Sequence, residues 1–168
     1  MTNPLPDESH FQFSEWPFYW LTRVADLYLR HLEIALKAIG LDIPRWRVLM
    51  QLKDNRRVSV SDIAEHAIVK LPTMTKIIQR MEAEGLVICL GRETDARVTD
   101  VMLTPQGHAA RRKAWTEADR IYRFAFVGMK QAKVETLTVL LNQLFANLAS
   151  DVPVAGAQRS DRGNGPSG

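Results

Sequence analysis

The fold is decided by residues 59–104, whose sequence is SVSDIAEHAIVKLPTMTKIIQRMEAEGLVICLGRETDARVTDVMLT. Ser59 is followed three residues later by Asp62, a variant of the capping box, which predicts a short helix over 60–66. After a turn, the proline at the start of 72–84 presets the first turn of a second helix, and the glycine that follows ends it. This part of the stretch therefore predicts two helices separated by a turn.

The rest of the stretch changes from a helical period to β-branched and apolar runs. The runs 86–90 and 97–103 are separated by the polar residues 91–96, which predicts a β-hairpin with a polar tip. Two helices, a turn and a hairpin in this order predict a winged helix-turn-helix. In that unit the second helix enters the major groove of DNA with its N-terminal residues toward the base edges.

Two elements of this unit carry side chains that are suited to DNA. Threonines at the start of the second helix can contact phosphate, base edges or the thymine methyl group, and Lys76 can reach phosphate or guanine. In the hairpin tip an arginine suits the narrow minor groove, and Asp95 can orient the guanidinium of Arg97 or tie the wing to the body. The residues that we assign to DNA contact are Thr73, Thr75, Lys76, Gln79, Arg80, Arg92, Asp95 and Arg97.

Helices are also predicted on both sides of the winged unit. Apolar spacing predicts one helix over 14–39 and another, capped by Asp42, over 44–54. Downstream, helices are predicted over 105–128, capped by Thr104, and over 131–149. The apolar stripes of the first and last helices exceed what one small domain can cover, which favours an interface between two copies of the chain. The alternative is that the two helices pack only on each other within one chain.

Composition is that of a soluble globular chain rather than a disordered or fibrous one. The chain has 168 residues, of which 46% are hydrophobic and 24% are charged, with a formal net charge of +3. This charge is too small to indicate nucleic acid by itself, so a DNA site must depend on a few placed residues. Without a signal peptide or a membrane-length apolar run, we expect a cytoplasmic protein.

The sequence lacks the motifs of common catalytic and metal sites. It has no Gly-rich phosphate loop, His-Glu-x-x-His pair or Gly-x-Ser-x-Gly elbow, and its four histidines lack ligand spacing. Its single cysteine, Cys89, excludes an internal disulfide and a Cys-based zinc site within one chain. We therefore predict a non-enzyme without cofactor or metal.

Several segments together resemble the MarR family of bacterial transcriptional regulators. They are IPRWRVLM (43–50), SDIAE (61–65), PTMTKIIQRMEAEGLV (72–87), the wing residues DAR (95–97) and VMLTPQG (101–107). The resemblance spans about residues 14–149. It departs from the family pattern at Ala96, where a second wing arginine is usual, and at 69–71, where a Ser or Asp cap is frequent.

The resemblance implies a mainly α fold with a small β-hairpin wing, flanked by N- and C-terminal dimerisation helices. It implies a homodimer whose first and last helices interlock and whose two winged units bind the halves of a pseudo-palindromic operator. The parts expected are a flexible N-terminal tail (1–12), a dimerisation helix (13–40), the DNA-binding lobe (41–104), C-terminal dimerisation helices (105–150) and a disordered tail (151–168).

An aromatic cluster adds an expectation about a ligand. Seven of the thirteen aromatic residues lie within 11–28. The resemblance implies that small aromatic acids bind between the dimer helices and the DNA-binding lobe. Aromatic walls with polar tips and a cation from Arg23, Arg30 or Arg45 suit an aromatic carboxylate or its coenzyme A thioester. The residues that we assign to this effector site are Trp16, Tyr19, Trp20, Arg23, Tyr28, His31 and Trp46. Alternatively, the aromatic residues pack the dimer core.

The function predicted is a ligand-responsive regulator, a repressor that leaves its operator when a small aromatic effector binds. Two alternatives stay open at the level of sequence. One is a redox-sensing regulator that acts through the thiol of Cys89. The other is a winged-helix module that binds proteins rather than DNA.

Overall fold

A computed structural model describes residues 11–53, 56–92 and 94–150. The predicted tails lie outside these ranges, apart from residues 11 and 12. The helices are α1 (Pro17–Ala38), α2 (Ile43–Gln51), α3 (Val60–His66), α4 (Leu71–Ala83), α5 (Pro105–Ala125) and α6 (Gln131–Ala149), and the strands are β1 (Val58–Ser59), β2 (Val87–Arg92) and β3 (Asp95–Leu103). The chain forms two compact units, of which the first ends at Ala125 and the second begins at Phe126. This is the mainly helical chain with a small hairpin that the sequence predicts, whereas the five-part division into tails, dimerisation helices and lobe stays a prediction.

The N-terminal helix begins later than predicted. Residues 13–15 form a short 3-10 turn, Trp16 is extended with φ −86° and ψ 114°, and α1 starts at Pro17. The reason is local, since a residue that precedes proline is sterically disfavoured from the helical region. Gly40, with φ +76°, follows the end of the helix in the left-handed conformation that favours glycine.

Three caps predicted from the sequence are confirmed. The Asp42 carboxylate accepts a hydrogen bond from the Arg45 backbone N–H at 2.8 Å, and the Ser59 hydroxyl accepts one from the Asp62 N–H at 3.1 Å. The Thr104 hydroxyl accepts one from the backbone N–H at the start of α5 at 3.0 Å. Each satisfies an N–H group that the helix itself leaves without a partner.

Two helices end earlier than predicted. The residue after α2, Leu52, is extended, so α2 stops at Gln51 rather than at residue 54. A turn over 126–128 that ends in Gly128, with φ +78°, stops α5 at Ala125 rather than at residue 128.

The described residues form a three-stranded antiparallel sheet in the order β1-β3-β2. The strand β1 was not predicted from the sequence, because two residues are too few to show a period. Between β2 and β3 the register shifts, since Gly91 pairs with Thr99 but Arg92 pairs with Asp95. Three residues of β3, 96–98, therefore have no opposite partner and form a bulge.

The core of the first unit lies where the last turns of α1 meet the winged helix-turn-helix and α5. Its buried apolar residues are Leu32, Leu36, Leu41, Trp46, Val48, Leu49, Leu52, Ile63, Ala64, Ala67, Met74, Ile78, Met81, Leu86, Val87, Val101, Leu103 and Ala114. A Cβ on Gly107 would lie 1.9 Å from the Leu86 carbonyl oxygen, so only glycine permits α5 to start this close to the winged unit. Because α4 and the hairpin both contribute residues to this core, the core fixes their positions relative to each other.

Within the described ranges, no helix combines the length and the apolar character needed to cross a membrane. The same part of the chain holds no group of three or more His, Cys, Asp or Glu side chains placed to bind a metal ion.

Candidate nucleic-acid interface and effector region

The helix α4 presents a buried face and an exposed face. Met74, Ile78 and Met81 are buried, and their spacing of three and four residues places them on one side of the helix. The exposed residues of α4 include four predicted DNA contacts, Thr73, Lys76, Gln79 and Arg80. The core therefore fixes the rotation of α4 and leaves these four side chains toward solvent.

Grooves flank α4 on two sides and divide the predicted contacts between them. The groove on the wing side has a volume of about 360 Å³ and brings Thr75 and Gln79 together with Arg97 of β3. The groove on the α2 side, of about 320 Å³, is lined by Asp42, Pro44, Arg45, Thr73, Lys76, Ile77 and Arg80. The structure thus brings six of the eight predicted DNA contacts to the two margins of one helix.

Thr75 is half-buried, and its hydroxyl has a partner inside its own helix. Its Oγ1 donates a hydrogen bond to the Leu71 carbonyl oxygen, 2.9 Å away. Such back-bonding to the carbonyl four residues earlier is common for threonine in helices. The hydroxyl proton that the sequence analysis assigned to phosphate or base is therefore already engaged.

Arg92 is the last residue of β2, beside the wing tip, and its guanidinium faces Asp100 of β3. Its Nε and Nη2 atoms donate hydrogen bonds to the two carboxylate oxygens at 3.1 and 2.6 Å. These bonds hold the pKa of Asp100 below its usual value and raise the pKa of Arg92. The sequence analysis assigned Arg92 to DNA and overlooked Asp100, although an acidic residue within an otherwise apolar run was a visible signal.

The wing tip is stabilised through the backbone. The Asp95 carboxylate accepts a hydrogen bond from the backbone N–H of Arg97 at 3.0 Å, whereas the sequence analysis proposed that it orients the guanidinium or ties the wing to the body. A short acidic side chain reaches the N–H group two residues ahead more easily than it reaches a long side chain. The Arg97 side chain is exposed.

Four of the predicted effector residues lie together near the start of α1. Aromatic rings contact one another along this segment, with ring centres 5.5 Å apart for Phe11 and Trp16 and 5.1 Å apart for Tyr19 and Trp20. The Arg23 guanidinium lies 5.3 Å from the centre of the Tyr19 ring, within range of a cation–π interaction. The structure therefore supplies an aromatic surface with a cation beside it.

The remaining predicted effector residues are separate from this cluster. Tyr28 and His31 lie two to three turns further along α1, and Trp46 is buried in the core of the first unit. Trp46 thus packs the core as an apolar residue. Burial raises the pKa of the Tyr28 hydroxyl, and the charge of Arg47 partly opposes this rise.

The cation near Tyr28 was not one of those that the sequence analysis considered. Arg47 donates a hydrogen bond to the Ala67 carbonyl at 2.9 Å. Of the cations considered, Arg30 pairs with Asp26, and Arg45 pairs with both Asp42 and Glu84. These acidic partners occupy the two arginines, which leaves Arg23 beside the aromatic rings.

Cys89 lies on β2 next to the end of α4. Its backbone N–H donates a hydrogen bond to the Glu82 carboxylate at 2.8 Å. Burial, together with the charge and hydrogen bonding of Glu82, raises the pKa of the thiol to about 11. Because the thiolate is the reactive form, this environment opposes the thiol-sensing alternative.

Comparison with known proteins agrees with this architecture. The family model for the MarR family matches residues 41–99. The chain is 40% identical over 143 residues to the HTH-type transcriptional repressor IacR of Pseudomonas putida, covering 85% of this chain and 86% of that protein. It is 31% identical over 111 residues to the homoprotocatechuate degradative operon repressor of Escherichia coli, covering 66% and 75% of the two chains. Both relatives are regulators of transcription rather than enzymes.

Solved structures share the fold at lower sequence identity. A MarR-family regulator from Silicibacter pomeroyi superposes with a TM-score of 0.77 at 21% identity, covering 87% of this chain and 99% of that chain. CouR from Rhodococcus jostii RHA1, solved with p-coumaroyl-CoA bound, superposes with a TM-score of 0.72 at 20% identity, covering 79% and 94%. Because the chain forms a winged helix-turn-helix, matches the family model and is 40% identical to IacR, it belongs to the MarR family of DNA-binding transcriptional regulators.

Proposed function

We propose that the protein is a repressor that binds a pseudo-palindromic operator as a homodimer and leaves it when a small aromatic effector binds. The observation that carries the proposed DNA binding is the exposure of cations on both α4 and the wing of the winged unit. Lys76 and Arg80 of α4 and Arg97 of the wing all reach solvent there. Cations on both a recognition helix and a wing are the arrangement that a groove-binding protein needs.

The two elements have different tasks in this proposal. The start of α4 enters the major groove, where Lys76 reaches phosphate or guanine and Gln79 reaches a base edge. The wing places Arg97 in the adjacent minor groove, where its charge is attracted by the strong negative potential.

The homodimer is supported by apolar surface that each unit leaves exposed. On α1 of the first unit, Val24 is 61% exposed and Leu27 is 50% exposed. On α6 of the second unit, the exposed apolar side chains are Leu137, Val139, Leu140, Leu141, Phe145 and Leu148. Faces this apolar rarely stay in water, and a second copy of the chain covers both in an isologous interface.

The aromatic effector is supported by the rings near the start of α1 and by one relative. Arg23 beside the Tyr19 ring supplies a cation for a carboxylate, and the surrounding rings supply apolar walls. The E. coli relative is named as the repressor of an operon for degrading homoprotocatechuate, an aromatic acid. An effector releases DNA only if it binds the released geometry of the dimer more tightly than the bound one.

The test uses a labelled duplex that covers the region upstream of the protein's own gene. The wild-type protein binds it, and Arg97→Ala weakens binding by roughly 1–3 kcal/mol, the usual value of one groove contact. Arg120→Ala, which removes an exposed α5 cation paired with Glu117, serves as the matched control and leaves affinity unchanged. Equal affinity of Arg97→Ala and wild type would remove the wing from the interface, and absence of binding at low salt would favour the protein-interaction alternative.

The effector is tested on the same complex. Aromatic acids and their coenzyme A thioesters are added to saturation, with an aliphatic acid of equal charge as the control. We expect at least one aromatic compound to lower operator affinity while the aliphatic acid does not. If none of them does, the aromatic effector is wrong for these classes, and the DNA-binding part of the proposal stands separately.

A further inference from the structure

The ion pair between Arg92 of β2 and Asp100 of β3 joins residues on the two sides of the wing bulge, which consists of residues 96–98. We infer that this pair is a positioning device for DNA binding, which sets how Arg97 is presented to the minor groove. The inference rests on the proposed function in one respect, namely that Arg97 contacts DNA.

The geometry of the hairpin makes the pair a clamp across the bulge. Leu90 of β2 pairs with Asp100 of β3, and Gly91 pairs with Thr99, so the ladder is regular up to this point. At the next residue the register of the strand pairing shifts, because Arg92 pairs with Asp95 and residues 96–98 have no partner on β2. The Arg92 side chain, which lies on the tip side of this register shift, bonds to Asp100 in the regular part of the strand pairing.

Arg97 lies within the bulged residues that this clamp encloses. A bulge changes the direction of the side chains it contains and increases the local twist of the strand. Without a second restraint, residues 96–98 are free to change their orientation relative to the regular part of the hairpin. The bidentate bond from Arg92, at 3.1 and 2.6 Å, ties the far side of the bulge to the regular ladder.

The other end of the clamp is held by the helix-turn-helix. Asp100 is buried, with only 6% of its side chain exposed, and it occupies the central strand of the sheet. On its other side Asp100 pairs with Ser59 of β1, whose hydroxyl caps α3. The carboxylate therefore has a fixed position relative to the first helix of the helix-turn-helix. Its bond to Arg92 fixes the position of the wing relative to the same helix.

The charge of Asp100 separates a positioning role from a direct one. A carboxylate near the DNA face repels phosphate, so its removal tightens binding if electrostatics is its only effect. If the carboxylate positions the wing, its removal weakens binding although the protein becomes more positive. The sign of the change in affinity thus decides between the two roles.

The experiment measures affinity of the full-length protein for the same upstream duplex at fixed salt. Asp100→Asn keeps the shape of the side chain and removes the charge, and we expect about tenfold weaker binding, since bonds between charged groups are worth roughly that or more. Asp119→Asn is the matched control, because it makes the same charge change in an exposed α5 ion pair with Arg123. The control binds as wild type or slightly more tightly.

A background variant tests whether the effect passes through Arg97. When Arg97 is already alanine, Asp100→Asn changes affinity by no more than about twofold, because the two changes act on one contact and are not additive. Thermal unfolding is followed for each variant. If Asp100→Asn unfolds, Arg92→Gln makes the same test from the exposed end of the pair, and Arg92→Lys, which keeps the charge, restores part of the affinity.

Two outcomes overturn the inference. One is unchanged or tighter binding by a folded Asp100→Asn, and the other is a full additional loss in the Arg97→Ala background. Both leave the proposed function intact as long as the wild type binds the duplex and Arg97→Ala weakens it. Failure of the wild type to bind would instead contradict the proposed function itself.

Discussion

Burial and the neighbouring carboxylate of Glu82 together raise the pKa of the single cysteine. The carboxylate accepts a hydrogen bond from the Cys89 backbone N–H, which holds it near the sulfur, and its charge disfavours a second negative charge there. With a thiol pKa of about 11, the reactive thiolate is a very small fraction at neutral pH. The position is therefore suited to packing in the strand rather than to sensing peroxide.

This environment predicts slow alkylation of Cys89 by iodoacetamide at pH 7. The rate should rise with pH until the pH approaches about 11, because the raised pKa delays formation of the thiolate. Glu82→Gln removes the charge that raises the pKa, so it should accelerate alkylation at neutral pH. Cys89→Ser provides the background rate.

We also expect peroxide treatment to leave DNA binding by the wild type unchanged. Fast alkylation at pH 7, or a peroxide response that disappears in Cys89→Ser, would reinstate the redox-sensing alternative.

Within a single element, α4 places two neighbouring predicted DNA contacts in different environments. Thr75 and Lys76 are neighbours, yet Thr75 is half-buried with its hydroxyl bonded to Leu71, and Lys76 is exposed. The difference follows from the helical period, since a step of one residue turns the side chain by about a quarter of a circle or more. The two residues should therefore contribute differently to DNA binding.

We expect Lys76→Gln to weaken operator binding and to reduce the slope of log affinity against log salt by about one for each half-site, because one phosphate contact is lost. Thr75→Val keeps the shape of the side chain and removes a hydroxyl already engaged within the helix, so affinity should be nearly unchanged. Fluorescence anisotropy over a series of salt concentrations measures both. A large effect of Thr75→Val with none of Lys76→Gln would place the wing side of α4, rather than its α2 side, against the DNA.

In the whole molecule, the exposed apolar residues of α6 support the proposed interface with a second copy of the chain. The side chains of Leu137, Leu141 and Leu148 recur at helical spacing and are all exposed. Apolar surface of this kind favours association, and placing a charge there costs several kcal/mol unless the charge finds a partner.

We expect the wild-type protein to sediment as a dimer and Leu141→Glu to shift it toward the monomer. Gln143→Glu adds the same charge on the opposite side of α6 and should leave the dimer intact. Analytical ultracentrifugation at micromolar concentration distinguishes the two. A monomeric wild type, or a Leu141→Glu protein that stays dimeric, would contradict the proposed interface.

Much of the fold was predictable because its signals are local. The caps of Asp42, Ser59 and Thr104 depend on residues three positions apart, and the structure confirms all three. The displaced start of α1 at Pro17 was also a local effect, and the rule for residues before proline could have found it. The strand β1 escaped prediction because two residues carry no period of their own.

The order of the main helices and strands, the candidate cations and the family could all be predicted from the amino-acid sequence, because these depend on spacing along the chain. The pairing of polar side chains with one another, in contrast, depends on the folded arrangement of the strands and helices. The fold pairs Arg92, a predicted DNA contact, with Asp100, eight residues away across a bulge. Register and bulges arise from pairing between strands, so a side chain's partner across the hairpin appears only when the sheet has formed.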